Sequence, residues 1–339
     1  MQMKRLAIAI VASAPLLAAA QSNVTIYGLL DASISREDTG APGGRLPVQI
    51  ASGNQSSSRF GFRGSEELGG GLKAIYNLEA GYALDTGVGD AAGLFQRRSV
   101  VGLESEYGTL TLGREYSPIA QVAAASDALG QGFYGTNLSA FGTNRVTRRL
   151  SNSVNYKSNV YSGFSVLAAY SAGEKTTGPS GDLRGIGLQY ANAGLYVGAA
   201  YHEFKRLAND VDKEYTLGAG YKFGDFEVKG GYLAADQAGP NNKFEQYNLG
   251  GIYSLAAHKF YVNFQQDRNQ AGGARGNGGT LAYSYSFSKR SNVYASYAKL
   301  NNNKAGAFGI NSASNNITPP ATALGSDPSA LTVGIRHSF

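Results

Sequence analysis

Apolar and polar residues alternate along most of this chain with a period of two. In Val24–Ser35, Val24, Ile26, Leu30 and Ile34 share one face, and Thr25, Tyr27, Asp31, Ser33 and Ser35 share the other. Successive side chains of a strand point to opposite faces, so this spacing predicts a strand that is apolar on one side only. The rhythm returns with Phe60 and Phe62 against Arg59 and Arg63, and with Leu72, Ala74, Tyr76 and Leu78 against Lys73, Asn77 and Glu79. It continues through Tyr215, Leu217, Ala219, Tyr221 and Phe223 and ends with Leu331, Val333, Ile335, His337 and Phe339. Connections alternate in length. SEELGG, SEYG, ANAG, KFGD, SLAAH and SKRS are short, whereas 36–55, 83–94, 116–149, 172–182, 205–212, 236–243, 269–278 and 301–328 are long.

Short turns at one end and long loops at the other are the habit of barrels that cross a membrane. At roughly 20 residues per strand and connection, about sixteen strands fit the chain. Tyr and Phe recur near strand ends on the apolar face, where an interfacial girdle would put them. The pattern therefore predicts an all-β fold, a transmembrane antiparallel β-barrel. For any single strand the alternative is a soluble β-sandwich. Backbone groups in lipid must all find partners, so the first and last runs are expected to pair and close the sheet.

The alternation stops once, between Tyr116 and Arg149. Gln121–Leu129 is alanine-rich and predicts a short helix; Gly130, Gly132, Gly135 and Gly142 follow, with Phe133, Tyr134 and Phe141 among them. A loop this long inside a compact domain is usually functional or disordered, and its aromatics argue against disorder. The expectation is that it folds into the barrel and narrows it, the alternative being a surface loop.

Composition fits a barrel better than a helical membrane protein. The chain has 46 Gly, 22 Tyr against 15 Phe, and no Trp or Cys in 339 residues. Disulfides and thiol chemistry are thereby excluded. The N-terminus sets the compartment. Lys4 and Arg5, the apolar Leu6–Leu17 and Ala18–Ala20 read as a signal peptide, residues 1–20, cleaved before Gln21. The formal charge is +6, of which Lys4 and Arg5 supply two, leaving +4 on residues 21–339.

Six motifs in order then carry a resemblance: VTIYGLLDASI, SSRFGFRGSEELGGGLKAIYNLE, VGLESEYGTLTLGREYSP, RLSNSVNYKS, SFSKRSNVYASYAKL and VGIRHSF. From Gln21 to Phe339 the chain resembles the general-diffusion porins of Gram-negative bacteria, most closely the β-proteobacterial branch. The resemblance implies a sixteen-stranded homotrimeric barrel in the outer membrane, in contact with its lipid and lipopolysaccharide. It also implies inward folding of the loop after GREY, handling by the barrel-assembly machinery with Phe339 as the assembly signal, and residues 83–94 as the latch between protomers. One departure stands out. The acidic loop cluster of many enterobacterial relatives is reduced here to Asp127.

Candidate chemistry points the same way. His202, His258 and His337 lie in separate segments, and no recognisable triad, metal-ligand spacing or cofactor motif surrounds them. The basic balance would suit nucleic acid, but export and the barrel pattern exclude that partner. Alternation turns Arg59, Arg63 and Lys73 inward, with one of Arg97 and Arg98. Arg145, Arg148 and Arg149 close the inward loop, while Asp127 and Glu79 oppose them. Basic residues around a narrow pore favour anions. The expected function is passive diffusion of small, preferably anionic solutes, without catalysis, metal or cofactor. A substrate-selective channel or surface binding barrel is the alternative, with Phe133, Tyr134 and Phe141 as a possible aromatic track.

Overall fold

A computed structural model describes residues 23–90, 92–206, 210–240 and 242–339. The expected signal peptide, 1–20, lies outside the described residues. In chain order the strands are β1 (Asn23–Asp38), β2 (Gln49–Ser52), β3 (Arg59–Gly69), β4 (Leu72–Gly81), β5 (Arg98–Ser105) and β6 (Gly108–Tyr116). After helix α1 (Pro118–Ala125) come β7 (Arg149–Ser158), β8 (Phe164–Ser171), β9 (Leu183–Asn192), β10 (Leu195–Phe204), β11 (Asp212–Phe223) and β12 (Phe226–Asp236). The last are β13 (Lys243–Leu255), β14 (His258–Asn269), β15 (Ala274–Ser286), β16 (Ser291–Asn302), the two-residue β17 (Ile310–Asn311) and β18 (Asn316–Ile317), and β19 (Ser329–Ser338).

Sequence neighbours pair antiparallel around the sheet, and β1 meets β19 from Leu29↔Ser338 to Asp38↔Ser329. The sheet thus closes as the two end patterns required. β1 pairs on its other side with β3 over Asn23–Leu29 and with β2 over Ala32–Ser35. β2 and β3 are therefore halves of one stave, interrupted by residues 53–58, and the barrel has sixteen staves.

Burial runs opposite to that of a soluble sandwich. Ile26, Ile50 and Leu281 are 64 %, 69 % and 64 % exposed on the outer face, whereas Asp31, Glu214, Gln246 and Asp267 are fully buried inside. Such an outer face suits hydrocarbon and such an inner face suits polar contents. Two aromatic rows bound the apolar band. Tyr232 lies between Tyr215 and Tyr247, tilted against both, with ring centroids 6.0 and 4.8 Å away, at the long-loop end. Phe226, Tyr253, Phe260 and Tyr283 follow one another at 4.5, 6.3 and 5.2 Å at the short-turn end.

Several boundaries differ from the sequence reading. The loop expected at 269–278 shrinks to residues 270–273. Its glycines looked like loop, but Gly276 and Gly278 pair across the ladder with Asp267 and Gln265. Gly276 faces inward under Leu300 and Phe308, where a Cβ would come within 2.8 Å of Leu300. The loop at 36–55 is shorter as well, since β1 runs on to Asp38 and β2 intervenes. In 301–328, β17 and β18 form a small hairpin whose Ile310 and Ile317 are buried. The helix begins at Pro118, three residues before the expected start, because proline suits the first helical turn and Ser117 caps it.

Candidate channel lumen

The segment between β6 and β7 is tied at both ends. Ala120 N donates to the Ser117 hydroxyl (3.1 Å), which donates to Thr147 O (2.7 Å), while Ser117 N donates to Arg148 O (3.0 Å). A buried cluster on the inner wall fixes both ends further. Ile119 N donates to His202 Nε2 (3.3 Å), whose Nδ1 lies 3.1 Å from Glu214. Glu214 also accepts Thr147 N and Thr147 Oγ1, both at 2.8 Å, and pairs with Arg206 at 3.1 Å. The imidazole is therefore the tautomer that accepts at Nε2 and donates from Nδ1, a structural role.

Between those ends the chain crosses the inner wall from β9 to β16. α1 fits over Gly198 and Gly218; a Cβ on Gly218 would lie 2.4 Å from Ser126 Oγ. Farther on, Asn263 Nδ2 donates to Gly135 O (2.9 Å), Thr280 Oγ1 to Tyr134 O (2.7 Å) and Tyr134 OH to Glu37 (2.7 Å). Two other loops support it: Phe133 N donates to Asn54 O (2.6 Å) and Gly135 N to Asn311 O (3.0 Å). Gln131 and Phe133 hold positive φ of 56° and 57°, a strained conformation for residues other than glycine.

What remains open lies between this segment and the opposite wall, β3 to β7. The cavity there has a volume of about 800 Å³. Six basic side chains line it, Arg59, Arg63, Arg97, Arg98, Arg148 and Lys157, against three acidic ones, Glu79, Glu104 and Glu115. Glu79 takes both Arg97 Nε (2.7 Å) and Arg59 Nε (3.4 Å), and Glu115 takes Arg98 (2.5 Å). Tyr116 holds the group together. Its hydroxyl accepts from Arg149 (2.9 Å) and Arg97 (3.4 Å), and the Arg149 and Arg148 guanidinium carbons lie 4.7 and 5.8 Å from its ring centre. Among the described residues, Arg148 otherwise donates only to Gln131 Oε1 (3.0 Å). Burial, then the Arg149 charge, pushes Arg148 down to about 10, so it remains cationic at neutral pH.

The other expected residues lie elsewhere. Arg97 and Arg98 both reach the cavity: Arg98 by strand alternation, Arg97 because it precedes β5 and turns back onto Glu79. Lys73 faces inward but sits at the short-turn end, paired with Glu67 at 2.9 Å and outside the cavity lining. Asp127 is sealed behind the segment. It accepts Leu129 N and Gln131 N at 3.0 Å, Asn137 N at 3.4 Å and the Thr136 hydroxyl, and burial pushes its carboxyl above the ordinary range. Arg145 lies on the far side of the segment, 4.6 Å over the Phe244 ring and donating to Ser139 O. Arg149 braces Tyr116 without lining the cavity. Phe133 and Tyr134 are buried against the wall, so they offer no aromatic track.

Sequence reasoning missed Tyr116, Glu115 and the second and third narrowing elements. Ser56 and Ser57, from the break between β2 and β3, line the cavity with Ala313 from the 303–328 connection, and Ser57 Oγ donates to Ala313 O (2.7 Å). The one available signal was that SGNQSSS interrupts a strand pattern that resumes on both sides.

Comparison with known proteins agrees with this architecture. A family model described as Gram-negative porin matches residues 6–305. The chain is 31% identical to outer membrane porin protein 32 of Delftia acidovorans, over 95% of each chain. The anion-selective porin from Comamonas acidovorans superposes with a TM-score of 0.81 at 27% identity, covering 94% of this chain and all of that one. OmpT of Vibrio cholerae, in a trimer form, superposes at 0.68 with 19% identity, covering 94% of this chain and 99% of that one.

Proposed function

Because the chain belongs to the Gram-negative porin family, and so to the outer membrane, we propose that its lumen is a water-filled, anion-preferring diffusion path narrowed by residues 117–148. The observation that carries the reading is the imbalance at the cavity wall, six cations to three acids, with Glu79 and Glu115 already engaged by arginines. A low-dielectric wall focuses that surplus across the lumen. Small anions are drawn in and cations repelled, without a bond being made or a cofactor held. Arg59, Arg97 and Arg148 are the residues assigned to the filter, with Arg63, Arg98 and Lys157 extending the field along the path. The anion selectivity of the Comamonas acidovorans porin supports the assignment. The proposed assembly is a homotrimer, as in the trimer form of OmpT.

The test is a planar-bilayer reversal potential under a KCl gradient. Wild type is expected to favour chloride. Arg59→Ser should reduce that preference roughly threefold for each ion, the effect of one charge about 6 Å away in a water-like medium, about 0.7 kcal/mol. A cation-selective wild type would overturn the reading, and an unchanged potential in the variant would remove Arg59 from the filter.

A further inference from the structure

The two sides of the path differ in more than charge. Arg59 and Arg63 on β3, with Arg97 and Arg98 where β5 begins, line the cavity from the wall. The facing segment meets it with Pro118, Ala120, Gln121, Ala124, Gly130 and Gln131 before Arg148 closes that side. Helical spacing explains the face. Ile119, Val122 and Ala123 of α1 are fully buried in a cluster with Ala200 and Leu233 of the wall, which turns Ala120 and Ala124, one turn apart, toward the path. Ala124 and Gly130 are exposed there, and a Cβ on Gly130 would have no atom within 4 Å. Each of the two amides is engaged: Gln121 Nε2 donates to Tyr116 O (3.4 Å), and Gln131 accepts from Arg148 (3.0 Å) and donates to Asn137 Oδ1 (3.2 Å). The one acid in the sequence between Ser117 and Arg148 is Asp127, which is fully buried. Ile75, inward on β4 and half-buried, continues the uncharged lining toward the short turns.

A solute in this space has guanidinium groups on one side and methyl and glycine surface on the other. The arginines meet the charge of any small anion alike. The second side discriminates. A hydroxyl turned toward it gives up water for a surface with few free partners, which costs free energy. An alkyl or aryl body turned the same way leaves water at a gain.

We propose that the path favours amphipathic organic anions, small carboxylates whose charge follows the arginines while an apolar body slides along α1, and that Ala124 sets this preference. The inference rests on the anion-preferring reading above and adds to it a choice among anions.

The test is a bi-ionic reversal potential in planar bilayers, with potassium chloride on one side and potassium butyrate or potassium threonate on the other. Threonate has the same carbon chain as butyrate, hydroxylated at every carbon beyond the carboxylate. Each permeability is divided by the anion's mobility in free solution. Wild type is expected to favour butyrate roughly fivefold, the worth of about 40 Å² of apolar surface leaving water. Ala124→Asn and Ala124→Leu add side chains of the same branched shape, so both narrow the path and only the first makes the face polar. The butyrate preference should fall in Ala124→Asn and persist in Ala124→Leu. Equal permeation of butyrate and threonate through a chloride-preferring wild type would overturn the inference while leaving the anion reading in place. The same ratio in the two variants would overturn the assignment to Ala124. A wild type that is cation-selective in KCl alone would overturn both the inference and the reading beneath it.

Discussion

Tyr116 shows how much one neutral side chain contributes to a charged wall. Its ring and hydroxyl gather Arg97, Arg148 and Arg149, which without an acceptor and a π-face between them would spread apart. The cavity's cations are arginines and one lysine, and no histidine lines it. Arginine, lysine and carboxylate side chains do not ordinarily change charge between about pH 6 and 8, so selectivity should be flat across that range. Reversal potentials measured from about pH 6 to 8 check this; a slope there would mean that a titrating group stands in the filter.

At the scale of elements, the inward segment depends on places where the wall makes room. Gly218→Val puts a side chain where Ser126 now sits and should push α1 off the wall. The expected result is altered single-channel conductance from a barrel that still assembles; conductance like that of wild type would mean that the helix repacks without moving. Asp127 is a second anchor, and its sign is opposite to that of a salt-bridged acid. Burial raises its carboxyl above the ordinary value, so its contribution to stability is fullest below the unfolded value and is lost as pH rises through the folded one. Asp127→Asn should cost less than Asp127→Ala, because one side-chain oxygen still accepts while the amide N–H₂ faces a backbone N–H. Asp127→Ala strands the N–H groups of Leu129, Gln131 and Asn137 and should cost about 1–3 kcal/mol or more. Thermal unfolding of the two variants at pH 7 separates these outcomes. Strand-level features were legible because period-two alternation is imposed by the pleat itself, and Arg59 could be placed from Phe60 alone. Arg97 could not, since it lies before the strand where alternation has no hold. Asp127 could not either, because whether a loop carboxylate faces water or its own backbone depends on packing that no local pattern records.

At the scale of the whole molecule, a closed wall with an apolar exterior invites its own kind. The exposed Ile26, Ile34, Ile50, Val333 and Ile335 lie on neighbouring staves around the β1–β19 closure and form a candidate contact between protomers. Unheated electrophoresis in mild detergent should show one species near three times the monomer mass, and a monomer under every mild condition would count against the trimer. The inside-out burial described above has a different consequence. A single-layer wall encloses no core of its own. The largest buried apolar cluster, with Ile119, Val122, Tyr134, Leu233, Phe244, Leu300 and Ile310, exists because the inward segment and the 303–328 connection press against the wall. The part proposed to restrict passage is thus the part that supplies the packing. Mutations that widen the path by trimming it would also hollow the core, so selection for larger solutes and selection for a sturdy protein pull on the same residues. With passage restricted as proposed, the size limit of the channel is a by-product of how the protein stays folded.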